Sequence, residues 1–416
     1  MSTCLEKMNV THARLHGAAA TAALPEASRI SVSQLDGKVA TADNASAAQA
    51  SIRELGALVR AAVIDEMGTE AFESMPRAQQ DKAGRVYRAN CHRHLGNTWL
   101  DGGAKQEQRW FEADNTDALG TGNAKRLRLT ADVNKVIHAY GKGLGEGHSP
   151  YGKGFGEKRR AYIVEHHKKD LILTIERTDK GARMDACTRA AMVAYHNRPL
   201  EMQFMKNTTF AEGNVLRDNL YATFGSLPYI ACLRARAIIE DKFTCRHRFF
   251  AAATALAGWS ALDMARVTDM SLAFFKLCEE HPERAVLNDY DPYEELLNSV
   301  PAYKEYMDAL DKSTAKSVDK TVDIYDTRAI RAELYAPVDA DNIAATPKML
   351  EALRAWGKGA RNTIEKGQGA RYLHDGELGV DNQTPEMMTA YADTYRHTNL
   401  IEVLRKTKTP GPQSDT

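Results

Sequence analysis

No stretch of the 416 residues approaches the roughly 20 consecutive apolar positions that a membrane-spanning helix requires. The longest candidate, Phe249 to Trp259, is alanine-rich and flanked by arginines, and reads as a buried helix. The amino terminus has no basic start followed by an apolar core, so a cleaved secretion signal is not expected. Net charge is also missing: 55 Lys and Arg balance 55 Asp and Glu, so any attraction to nucleic acid or anionic lipid must come from local clusters. The six cysteines, Cys4, Cys91, Cys187, Cys232, Cys245 and Cys278, have no paired spacing, which argues against a disulfide framework and for reduced thiols in an intracellular protein. No fixed-period repeat, no G-x-x-x-x-G-K-[ST] phosphate loop and no G-x-S-x-G nucleophile elbow occurs.

What is present is ordinary globular material. Apolar residues make up 43% and charged residues 26%, enough to fold most of the chain, and the length calls for two or three packed units. Residues 1–28 read as a mobile tail, and residues 407–416 as a frayed end. Gly37 to Ala42 is a candidate short strand through Val39 and Thr41. From Ala45 the spacing of Ile52, Leu55, Val59, Ala62 and Val63 predicts a helix that Gly68 stops. Asp81 to Trp99 predicts a second helix that turns at Gly96-Asn97, with Gly102-Gly103 opening a connection. Leu127, Val133, Ile137 and Tyr140 continue helical spacing.

Gly141 to Arg160 holds seven glycines and a proline and predicts a loop. Ala161 to Arg177 has two β-rich runs about a polar centre and predicts a hairpin. Beyond Asp179 the pattern is helical, with a core segment from Leu227 to Cys278 and acidic residues gathered from Glu279 to Asp311. Thr346-Pro347 and Thr384-Pro385 read as helix starts, with Thr as cap and Pro in the first turn.

Two short elements carry chemistry: Asp43-Asn44-Ala45-Ser46 at the end of the candidate strand, and Cys91-His92-Arg93-His94-Leu95-Gly96-Asn97 after the following helix. Asp is a favoured helix cap, which is the structural role open to Asp43. Cys91 and His94 can equally form a structural pair in a buried turn. A zinc site is not expected, because no second pair of ligands lies nearby.

In these elements the chain resembles the catalytic domain of hAT-type DNA transposases, which have an acid ending a strand, then a helix, then C-x-x-H-x-L-N; here Gly96 is inserted before Asn97. Arg109-Trp110 is similar to a downstream Arg-Trp pair of that family, and His397-Thr398-Asn399-Leu400-Ile401-Glu402 is similar to the context of its last catalytic acid. The resemblance implies a mainly α fold with a small α/β part, an RNase H-like core interrupted by a large helical insertion. Residues 29–124 and 391–406 would form the core and residues 125–390 the insertion. It implies that Asp43 and Glu402 are catalytic and hold Mg²⁺ for phosphodiester cleavage and transfer. Cys91, His94 and Trp110 would brace the DNA site, and the location would be nuclear. The family also has an earlier Asp on the first strand; only Asp36 precedes Asp43 here, in a Leu-Asp-Gly turn, so the resemblance covers both an active enzyme and a catalytically silent relative.

The most basic stretch comprises Lys125, Arg126, Arg128, Lys142, Lys153, Lys158, Arg159, Arg160, Lys168 and Lys169. It is either a solvated connector or a sequence-independent, salt-sensitive contact to DNA. His166-His167 and Cys245-Arg246-His247-Arg248 read as ordinary polar residues, and the acidic patch as a solvated face. Two other readings stay open: a non-enzymatic helical protein that binds nucleic acid or assembles with its own copies, and a helical effector or scaffold with protein partners, either of them cytoplasmic. No membrane partner is expected.

Overall fold

The computed structural model describes residues 39–42, 57, 60, 61, 63–82, 87–90, 92–114, 155–166, 184–209, 215–256, 263–298, 332–376 and 378–385. These residues are mainly helical, with one pair of strands. No described helix is long and apolar enough to cross a membrane. The chain divides into two compact units, one of residues 1–94, 260–262 and 382–416, the other of residues 95–259 and 263–381.

In the first unit, β1 (Val39–Ala42) and β2 (Tyr87–Asn90) pair in parallel, with Val39 opposite Tyr87 and Ala42 opposite Asn90. Parallel neighbours need a crossover rather than a tight turn, and the intervening chain supplies helical residues 63–67, α1 (Thr69–Ser74) and α2 (Arg77–Lys82). Gly68 ends the helical residues before it with a positive φ of 84°, a conformation other residues avoid. Phe72 is the buried residue of α1, and the Arg60 guanidinium lies 5.3 Å from its ring centre. The strand expected between Gly37 and Ala42 is therefore present as β1. The helix expected over Asp81 to Trp99 is not: Tyr87–Asn90 is strand, because pairing with β1 satisfies backbone groups that a helix would otherwise bond internally.

The second unit is built from helices. They are α3 (His92–Asp114, beginning in the first unit), α4 (Phe155–His166), α5 (Met184–Asn207), α6 (Val215–Phe224) and α7 (Leu227–Ile239). A π-helical turn (Glu240–Thr244) leads into α8 (Cys245–Leu256), followed by α9 (Asp263–Glu280), α10 (Pro282–Ala285) and α11 (Glu294–Asn298). After residue 332 come α12 (Ala340–Ala344) and α13 (Thr346–Lys366). α7 is the central rod: every residue from Tyr229 to Ile239 is buried, as a helix covered on all sides must be. It packs on α5 and α13, and α13 packs along α9. α13 is two-faced, burying Met349, Leu353, Trp356, Ala360 and Ile364 at spacings of three and four. The core expected from Leu227 to Cys278 is thus found in α7, α8 and α9.

Several sequence expectations fail here for identifiable reasons. Gly96-Asn97 and Gly102-Gly103 interrupt nothing; all four lie inside α3. Their glycines serve close packing: a Cβ at Gly103 would come 2.9 Å from Trp356 Cδ2, and one at the facing Gly359 would come 2.8 Å from Gln106 Cβ. The loop ending at Arg160 gives way to α4 at Phe155, and the hairpin from Ala161 begins as helix through His166, since α4 buries Tyr162 and Arg159 against α5. Thr346 does not cap α13; it donates back to the Asn342 carbonyl at 3.1 Å. The acidic region is not simply solvated, because Glu279 pairs with Arg361 and Asp291 with Arg246.

Candidate functional site

The expected catalytic acids Asp43 and Glu402, and Cys91, lie outside the described residues. What is described is the frame beside two of them: the parallel pairing ends level, at Ala42 opposite Asn90, and Asp43 and Cys91 are the next residues in the sequence. His94 is exposed in the first turn of α3. Trp110 is half-buried, and its indole N–H donates to Glu351 Oε2 of α13 at 3.3 Å.

The basic stretch separates into different environments. Lys125, Arg126, Arg128, Lys142, Lys153, Lys168 and Lys169 lie outside the described residues. Lys158 is exposed on α4 and donates to the Thr209 carbonyl. Arg160 is also within α4. Arg159 corrects the expectation of a phosphate contact: it is 2% exposed and its Nε donates to Glu201 Oε1 at 2.6 Å. A guanidinium already committed to an internal carboxylate is not offered to a nucleic-acid backbone.

Periodicity did not reveal how many charges the helical unit buries. The π-helical turn places Glu240, Asp241 and Lys242 in succession in the interior, each with partners. Thr188 donates to Glu240 at 2.8 Å and Arg248 pairs with the same carboxylate. Asp241 accepts from Tyr335 at 2.6 Å. Lys242 donates to the Tyr290 carbonyl and lies 4.8 Å from the centre of the Tyr335 ring. Nearby, Arg246 reaches Asp291 at 2.9 Å. The sequence signal was the run Glu240-Asp241-Lys242, set between Arg234, Arg236, Arg246 and Arg248 in a helical stretch.

A second buried group joins α3, α7 and α13. Arg236 Nε donates to Glu107 Oε2 at 2.7 Å, both side chains are 1% exposed, and the guanidinium lies 5.8 Å from the Trp356 ring centre. Tyr229 and Cys232 share this face of α7, at spacings of seven and four before Arg236. Burial pushes both the Tyr229 phenol and the Cys232 thiol well above their ordinary ranges, so both stay protonated near neutrality.

A third group fastens residues 333–346 to α5 and α7. Tyr195 donates to the Glu333 carbonyl at 3.2 Å, and His196 Nδ1 lies 3.1 Å from Glu333 Oε2. Arg198 donates from Nε to the Phe224 carbonyl at 2.7 Å and turns its two Nη atoms to Asp339 and Asp341. Arg234 donates to the Leu334 carbonyl at 2.8 Å and to Thr346 Oγ1 at 3.0 Å. Burial raises the Tyr195 phenol to about 12.

Among the described residues no group of three His, Cys, Asp or Glu side chains is arranged to hold a metal ion. Cys187, Cys232, Cys245 and Cys278 are buried and in no disulfide. No protein-family model, no curated protein and no solved structure matches the chain.

Proposed function

We propose that the chain acts on DNA as a transposase-type catalytic core related to the hAT class, cleaving and transferring strands with Mg²⁺ held by Asp43 and Glu402. The observation that carries this reading is the pairing of β1 with β2. Parallel strands present their carboxyl ends on one edge, where open α/β sheets hold ligands, and the register brings the ends of both strands level. Asp43 and Cys91, the first residues of the two chemistry-bearing elements, directly follow those ends in the sequence. The division of the chain is further support, because residues 1–94 and 382–416 group in one unit while most of the intervening chain forms the other. A core interrupted by a helical insertion is the arrangement this reading requires.

Carboxylates are hard oxygen donors of the kind Mg²⁺ takes, and the bound ion supplies Lewis acidity to the phosphoryl oxygens. Cys91 and His94 brace the strand end beside the DNA. The exposed members of the basic stretch hold backbone phosphates without reading sequence.

Supercoiled plasmid incubated with the full chain provides the test. The expected result is Mg²⁺-dependent nicking or joining that chelation removes and that Asp43→Asn or Glu402→Gln reduces to background, with salt-sensitive binding retained. Binding without cleavage under Mg²⁺ or Mn²⁺ would move the assignment to a non-enzymatic nucleic-acid-binding or assembly protein. No binding at moderate salt would remove both in favour of a helical scaffold with protein partners.

A further inference from the structure

The segment from Glu333 to Asp341 is attached to the helical unit unlike anything else described in it. Its ends are pinned by apolar burial, Leu334 at one side and Ala345 just beyond the other. Between them, Val338 is 90% exposed and Ile343, in α12, is 54% exposed, so the bow has little apolar adhesion of its own. Tyr335 and the Leu334 carbonyl anchor its first residues on Asp241 and Arg234, and beyond them it is held by charge. The Arg198 side chain is 2% exposed, whereas the carboxylates covering it, Asp339 and Asp341, are 37% and 57% exposed. His196, 18% exposed, lies likewise beneath Glu333, 52% exposed. The Arg198 guanidinium and the His196 ring are therefore covered by three carboxylates on one segment.

We propose that this bow is an autoinhibitory contact, and that the groups beneath it form a site for a phosphodiester backbone. The proposal rests on the DNA-binding reading above. The two Nη atoms of Arg198 form the fork that a phosphate accepts in bidentate fashion. They face outward, because Nε is already bound to the Phe224 carbonyl. Unlike the Glu201 partner of Arg159, the carboxylates on Arg198 face water, so an entering phosphate can take their place on the guanidinium while the pinned ends keep the bow attached. A segment with few buried apolar contacts is also the part of a fold that opens most easily.

The experiment measures binding of a fluorescently labelled DNA duplex to the full chain by anisotropy at low salt. Asp339→Asn with Asp341→Asn removes both charges and keeps side-chain size. Asn at position 339 also retains the ability to cap α12, where Asp339 Oδ1 accepts from the Asn342 amide at 3.0 Å. The expected result is a gain in affinity of roughly fivefold or more, from lost repulsion and an uncovered Arg198. Adding Arg198→Gln should return the affinity to that of the wild type. Neutralising two exposed acids elsewhere, Glu294→Gln with Glu295→Gln on α11, should change it by less than about twofold. Thermal melts of each variant confirm folding. A gain that is equal in the α11 control, or that survives Arg198→Gln, overturns the proposal. Wild type and double variant binding equally overturns it as well, and leaves the DNA-binding reading intact. Binding by neither overturns both, whereas binding by the double variant alone supports the contact.

Discussion

The two units deal with polar residues in opposite ways. In the first, the elements proposed to carry chemistry follow two short paired strands in the sequence. In the second, Arg159, Arg198, Arg234, Arg236, Glu107, Glu201, Glu240, Asp241 and Lys242 are drawn into a helical interior and answered there by carboxylates, carbonyls and hydroxyls. Polar residues gathered in sequence at the end of a strand suggest a reaction. Polar residues dispersed along helices and reunited in the interior suggest a structure that is specified by its internal pairs.

The comparison breaks most sharply at Glu107 and Arg236. Truncating Arg236→Leu alone leaves a buried carboxylate without its partner and should destabilise the helical unit by about 3–5 kcal/mol, read by chemical denaturation. Replacing both residues by Leu should recover most of that loss, because well-packed apolar side chains carry no desolvation cost. If the double variant is as unstable as the single one, the pair is not the source of the effect.

Packing between helices gives the next largest effect. A Cβ at Gly357 would lie 2.5 Å from the Phe275 carbonyl oxygen and 2.6 Å from the Glu279 amide nitrogen. Neither is the end of a flexible side chain, so Gly357→Ala should cost about 1–3 kcal/mol through separation of α9 and α13. A melting temperature unchanged by this substitution would show that the two helices have slack.

The effect confined to alkaline solution is a pH dependence. Tyr195, ordinarily near 10, is held at about 12 in the folded chain by burial. The unfolded chain therefore loses this proton first. The associated stability is complete below pH 10, falls as pH rises from 10 to 12, and amounts to roughly 2–3 kcal/mol. Tyr195→Phe should flatten the part of the alkaline stability profile due to this group, while costing about 1 kcal/mol near neutrality for the bond to the Glu333 carbonyl.

Regular features could be read directly from the sequence. The helical character of the described residues beyond Asp179 followed from spacing, and β1 from Val39 and Thr41. What misled was glycine and β-branching. Gly96, Gly102 and Gly103 suggested interruptions, yet glycine also lets two helices approach, and only the partner helix reveals which use applies. Tyr162-Ile163-Val164 suggested a strand, but burial of Tyr162 and Arg159 against α5 outweighed that preference. Arg159 looked like a surface cation because Glu201, which neutralises it, is 42 residues away. Asp43 and Cys91 drew attention through their sequence context, and the level ending of β1 and β2 came only from the structure.

The π-helical turn at Glu240–Thr244 has a consequence for every residue after it. A widened turn takes up one residue more than an α-helical one, so the side chains of α8 are rotated by about 100° from where an unbroken helix would point them. Phe250, fully buried against Tyr293, owes its inward direction to that phase change. The spacing of hydrophobic residues on either side is correct only when counted across this extra residue. A single-residue deletion there, however conservative by composition, would rotate the buried face of α8 by about 100°.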